Sequence, residues 1–199
     1  MSKICTLIVA GGQGRRIGGH KADTELCGKR LIDHTIQRAE NWDLPIYIGL
    51  RRHGQVLTPG YFQILDKADI EGPLSGIIAG LAFAKKEGFS YVLTVACDMP
   101  FLPSDLVDWL LPAAQKSHKI VAANSGGRLH PICAIWPVEA LETLEHCAMA
   151  GELSLNRSSK TYGREELEWP DAPYDPFFNI NTARELERAN AIVVLRQSV

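Results

Sequence analysis

Ile4-Cys5-Thr6-Leu7-Ile8-Val9-Ala10-Gly11-Gly12-Gln13-Gly14-Arg15-Arg16-Ile17-Gly18-Gly19-His20-Lys21 is the stretch from which the fold can be read. Residues 4–10 form a short apolar run that stops abruptly at glycine, the pattern of a buried strand. Five glycines then fall between positions 11 and 19. Glycines without a Cβ let backbone amides approach an anion closely, and so many of them after a strand are costly to order unless a ligand is gained in return. The dinucleotide pattern G-x-G-x-x-G fits Gly12 and Gly14 but demands glycine where Ile17 stands. The P-loop pattern fits Gly14 and Gly19 but needs lysine at His20, and Ala22 lacks the magnesium-binding hydroxyl. The loop therefore belongs to neither common class, yet Arg15, Arg16 and Lys21 suit a polyphosphate through charge-assisted bonds.

Outward from this loop, short apolar runs alternate with helical patterns, which predicts an α/β layered sheet. Strands are expected at Pro45 to Leu50, Gln63 to Leu65, Tyr91 to Ala96 and His118 to Asn124, the last forming a hairpin with Ile132 to Trp136. Helical spacing marks Leu31 to Glu40, Leu74 to Lys86, Ser104 to Gln115, Val138 to Met149 and Ser154 to Ser159. Ser104 is expected to cap its helix, and Thr182 the final one. Trp169 to Pro176, with its three prolines, reads as loop, and Phe177 to Ile180 as a last short strand. One domain, residues 1–199, is the economical reading.

Composition narrows the function. With 199 residues, 46% hydrophobic and 22% charged, the chain matches a globular domain. Twenty-one basic against 23 acidic residues leave a net charge of −2, without the basic imprint of a nucleic-acid binder. Cys5, Cys27, Cys97, Cys133 and Cys147 are odd in number and form no C-x-x-C pair, which suits neither a disulfide framework nor a zinc site. Without a signal-peptide layout or an apolar stretch of about 20 residues, the expectation is a cytoplasmic protein with no membrane partner.

Residues 9–21 resemble the signature L-A-G-G-x-x-x-R-M-G-G-x-D-K of the molybdenum cofactor guanylyltransferases. The resemblance extends along nearly the whole chain. Asp66 with Gly72-Pro73-Leu74-Ser75-Gly76 is similar to the family's D…GPLAG segment, Cys97-Asp98-Met99-Pro100-Phe101-Leu102-Pro103 to its C-D-x-P-F-x-P turn, and His130-Pro131 to its H-P pair. Phe178-Asn179-Ile180-Asn181-Thr182 matches F-x-N-x-N-T with the phenylalanine displaced by one.

The resemblance implies a single three-layer α/β/α Rossmann-like domain with a mostly parallel, mixed sheet, its nucleotide half at about 1–100 and its acceptor half at about 101–199. It implies transfer of GMP from GTP to the terminal phosphate of molybdopterin, with Mg2+ as cofactor and transient contacts with cofactor-synthesis proteins or apo-molybdoenzymes. Asp98, at a strand end where open α/β sheets place ligands, is the expected magnesium ligand. Arg16 and Lys21 are expected to neutralise the triphosphate. Val9, Ala10, Gly11, Gly12, Gly14, Gly18 and Gly19 form the nucleotide cradle, with Gly49, Asp66 and Gly76 also on the nucleotide. Asn179 and Asn181 would line the cleft, and His130 would lie toward the pterin. His20 stands where the family has Asp and Gly49 where it has Asn. Two alternatives stay open: a CTP-using relative, and a non-catalytic module that binds nucleotide or cofactor.

Overall fold

In a computed structural model of the chain, residues 3–12, 14, 19 and 21–197 are described. The order is β1 (Ile4–Val9), a small hairpin of β2 (Glu25–Leu26) and β3 (Lys29–Arg30), α1 (Leu31–Glu40), β4 (Ile46–Leu50), β5 (Phe62–Leu65), α2 (Pro73–Lys86) and β6 (Tyr91–Ala96). There follow α3 (Leu106–Ser117), β7 (Ile120–Ser125), β8 (Arg128–Pro137), α4 (Leu141–Met149), α5 (Leu155–Tyr162), β9 (Arg164–Trp169) and α6 (Ala183–Gln197).

The strands form one seven-stranded sheet in the order β5-β4-β1-β6-β8-β7-β9. All neighbours are parallel except where β8 pairs with β6 and β7. β1 sits centrally because both its faces are apolar: Ile4 and Ile8 enter the core beside α1 and α3, Cys5 and Leu7 the core beside α2, α4 and α5. These two cores make the three layers. A third cluster, with Leu26, Leu31, Phe101, Ile180 and Ile192, seats α6 on the β2–β3 hairpin. The hairpin turn uses positive φ at Cys27 and Gly28, as a type I′ connection requires.

Thr94 ties the antiparallel junction together. Its hydroxyl donates to the Ile132 carbonyl at 2.7 Å and accepts from the buried Trp136 indole N–H at 2.7 Å. Thr182 caps α6 in a reciprocal box: Glu185 N–H donates to Thr182 Oγ1, and the Glu185 carboxylate accepts from the Thr182 hydroxyl and from Asn181 N–H.

Three expectations are corrected. Ser104 is an exposed turn residue; α3 starts at Leu106, and Asp105 precedes it without a side-chain cap. His118 is not in β7 but ends α3 in the left-handed region, φ 57°. Phe177 to Ile180 is not a strand, because Phe178 N–H turns back to the Asp175 carbonyl and Ile180 N–H donates to the Asp98 carbonyl. The sheet's true last strand is β9, which pairs with β7 and lies just before the proline-rich loop. All five thiols are free, four buried and Cys27 exposed. Among the described residues no helix is long and apolar enough to cross a membrane.

Candidate active site

Four parallel strands run out at the same sheet edge. β1 delivers Ala10, Gly11 and Gly12 there, β4 delivers Arg51, β5 delivers Asp66, and β6 delivers Cys97 and Asp98. β8 runs the other way, so its beginning reaches this edge and contributes Ile132. Ligands of open α/β sheets bind beyond carboxyl strand ends, and a cleft is found here. Its larger part, about 680 Å³, is lined by Ala10, Gly19, Arg52 and Lys67 among others. Its smaller part, about 400 Å³, is lined by Val9, Gly11, Asp98, Asn179 and Asn181 among others. Gly12, Lys21, Arg51 and Asp66 line both. The sizes suit a small organic ligand in each part.

Lys21 stands where the two parts meet. Its ammonium forms an ion pair with Asp98 and donates to Asn181 Oδ1 at 2.6 Å. Gly14 makes room for it: at φ 59° a Cβ would fall 2.6 Å from Lys21 Cβ, so only glycine fits. Asp98 is 3% exposed, and among the described residues its Oδ2 receives no well-aligned hydrogen bond and meets only that ammonium. No group of three metal-ligating side chains surrounds it among the described residues. A lone carboxylate facing an open cleft fits a magnesium ion, which commonly takes one or two carboxylates and fills its remaining positions with phosphate oxygens and water.

Asp66 is wedged between glycines. A Cβ on Gly11 would sit 3.0 Å from its Oδ2, and one on Gly76 would sit 2.9 Å from its Oδ1. Among the described residues Oδ1 is buried with no hydrogen-bond partner. Burial pushes the Asp66 pKa up, and the Arg51 charge opposes that shift. Asp66 lines both parts of the cleft, where a carboxylate can take N–H donors from a ligand.

The structure thus brings Val9, Ala10, Gly11, Gly12, Gly19, Lys21, Asp66, Asp98, Asn179 and Asn181 to one cleft, with Gly14 behind Lys21 and Gly76 behind Asp66. Gly49 is not brought there: it lies inside β4 against Leu7, and its carbonyl accepts Ala10 N–H. Arg51, two positions on, reaches the cleft instead. Arg16, Gly18 and His20 lie outside the described residues. His130 is 3% exposed; its ring is bound to Ser125 and stacked on Phe177. Cys97 is a buried packing residue whose thiol pKa is raised by burial. Sequence reasoning missed Arg51 and Arg52, although a basic pair directly after a predicted strand obeys the same strand-end rule that singled out Asp98.

Comparison with known proteins agrees with this geometry. The MobA-like NTP transferase domain is the family whose model matches, over residues 6–165. The molybdenum cofactor guanylyltransferase of Bradyrhizobium sp. (strain ORS 278) is 33% identical, covering 95% of this chain and 92% of its own. That of Rhodopseudomonas palustris (strain BisB5) is 34% identical, covering 94% and 93%. The solved structure of molybdopterin-guanine dinucleotide biosynthesis protein A from Archaeoglobus fulgidus superposes with a TM-score of 0.79 at 24% identity, covering 96% of this chain and 98% of that one. A CMP:2-keto-3-deoxy-manno-octonic acid synthetase complexed with CTP gives 0.76 at 14% identity, covering 98% and 100%. At those identities the two structures speak to the fold alone: a mixed, mostly parallel Rossmann-like sheet of the nucleotidyltransferase kind.

Proposed function

We propose that this chain, which belongs to the MobA-like NTP transferase family, transfers GMP from GTP to the terminal phosphate of molybdenum-molybdopterin, giving the guanine dinucleotide cofactor and diphosphate. The observation that carries this reading is the Lys21 ammonium held between Asp98 and Asn181 at the centre of the cleft.

A bond forms between an acceptor phosphate oxygen and the α-phosphorus, and the bond from that phosphorus to the bridging oxygen of the β-phosphate breaks. The nucleophile is a phosphate monoester with a second pKa of about 6, so it is largely ionised near neutral pH and needs no general base. The barrier lies in bringing two anions together and stabilising charge on the leaving diphosphate, which is work for positioning and electrostatics. Lys21 and Arg16 neutralise the triphosphate, and the amides of Gly11, Gly12 and their neighbours cradle it. Asp66 accepts hydrogen bonds from the guanine or the ribose. Asp98 would hold the Mg2+, which when bound supplies further charge neutralisation on the phosphates. Asn179 and Asn181 orient groups on the acceptor side. On this reading residues 1–100 hold the nucleotide and 101–199 the acceptor, in a cytoplasmic enzyme that touches cofactor-synthesis proteins or apo-molybdoenzymes in passing.

The test is direct. Purified protein with GTP, Mg2+ and molybdopterin should form the guanine dinucleotide, and Asp98→Ala should slow this by about 10²-fold or more with an unchanged circular dichroism spectrum. Preference for CTP in competition would reassign the base, and nucleotide binding without turnover would make the chain a binding module. Full activity in Asp98→Ala would remove Asp98 from the metal role.

A further inference from the structure

Beside the cleft lies a buried polar cluster that the reaction above does not use. Ser125 closes β7 and His130 lies near the start of β8; each is 3% exposed. Ser125 Oγ donates to Asp175 Oδ1 at 2.7 Å and lies 2.8 Å from His130 Nε2. Since the single hydroxyl proton goes to Asp175, the histidine must donate from Nε2. Burial lowers the His130 pKa, with Asp175 and Glu168 opposing and Arg128 adding to the shift, in keeping with a neutral ring that has one proton to give. The same Asp175 oxygen accepts Phe177 N–H at 2.8 Å. The His130 ring stacks on the fully buried Phe177 at 5.0 Å, and Trp169 meets Phe177 edge-on at 5.5 Å.

Two residues beyond Phe177 the chain enters the cleft as Asn179. Ile180 N–H then donates to the Asp98 carbonyl at 3.1 Å, and Asn181 accepts from Lys21. Residues 175–181 therefore have no ladder partners: a turn over 175–178 and the irregular segment after it are fastened to the sheet at one end by the cluster and to Asp98 and Lys21 at the other. Buried polar groups satisfied on every side fix a unique geometry, whereas half-satisfied ones cost stability.

We propose that the His130–Ser125–Asp175 relay is a positioning device: it sets the segment that carries Asn179 and Asn181 against Asp98 and Lys21. The catalytic consequence rests on the proposed GMP transfer; the positioning does not.

Amide hydrogen exchange and steady-state kinetics on the full chain test it together, using Ser125→Ala, His130→Leu and His130→Gln. The glutamine amide can stand in for the Nε2 donor; leucine keeps only apolar bulk against Phe177. Ser125→Ala and His130→Leu should speed exchange over residues 176–181 about tenfold, leave β1 and β6 protected, and lower kcat about 10- to 100-fold, as removal of groups that orient active-site ligands commonly does. The KM for GTP should stay within about threefold, because the nucleotide half is untouched. His130→Gln should recover most of both effects. The positioning is overturned if exchange over 176–181 is unchanged, if it rises only in step with β1, or if leucine and glutamine behave alike, and its catalytic consequence is overturned if kcat survives a loosened segment. Should the unsubstituted chain make no dinucleotide, the proposed transfer falls alone, and the exchange measurement still decides the positioning.

Discussion

Asp66 is a carboxylate with one oxygen buried and, among the described residues, unpartnered, a condition that costs roughly 1–3 kcal/mol unless something else is gained. What holds it there is the absence of two Cβ atoms, at Gly11 and Gly76. Gly76 lies inside α2, where alanine would ordinarily stabilise by up to about 1 kcal/mol. Gly76→Ala is therefore expected to split two properties that most mutations move together. The melting temperature should hold or rise, while the displaced Asp66 carboxylate should weaken GTP binding by about tenfold or more, read by titration calorimetry. Unchanged affinity, with the carboxylate shown to have moved, would take Asp66 out of nucleotide recognition.

At the scale of elements, the β6–β8 junction hangs on one hydroxyl. Thr94→Val keeps the volume but strands the Trp136 indole N–H and removes the donor to Ile132. A loss of about 1–3 kcal/mol is expected, seen as a lower urea midpoint at an unchanged m-value. The elements that sequence made legible are those whose pattern is set by burial. β1 and β6 are apolar on both faces, and α1 carries its stripe Ile32, Ile36, Ala39 toward the sheet. β9 was not legible, because Arg-Glu-Glu-Leu-Glu-Trp is an edge strand whose charges face solvent and neighbours such as Lys119 and Asn124. Phe177 to Ile180 misled for the opposite reason: its apolar side chains fill a core, but its amides go to Asp175 and Asp98 rather than to a ladder. The site followed the same division. Asp98, Lys21 and the glycines stood out by residue type and strand-end position. The Ser125–His130–Asp175 contacts did not, because they join residues up to 50 positions apart through a loop.

For the whole molecule, the cleft spans both halves of the sheet, so a ligand that fills it should stabilise the fold as a unit. A nucleotide present at about 100 times its Kd adds about 2.7 kcal/mol. In a chain of 199 residues that corresponds to a rise of roughly 5–10 °C. GTP with Mg2+ should give this shift, CTP and ATP should give less, and chelation of the metal should reduce it. Equal shifts from all three nucleotides would mean that the larger cavity does not read the base.

The strand order also carries a timetable. β1, β4, β5 and β6 are contiguous in the sheet and complete by residue 96, while β8, β7 and β9 come only between residues 120 and 169. A ribosome delivering the chain from its first residue thus supplies Gly11, Lys21, Asp66 and Asp98 well before Asn179 and Asn181 emerge. Until those two asparagines arrive, Lys21 lacks its Asn181 acceptor, and the nascent chain holds a cleft whose far wall has yet to be made.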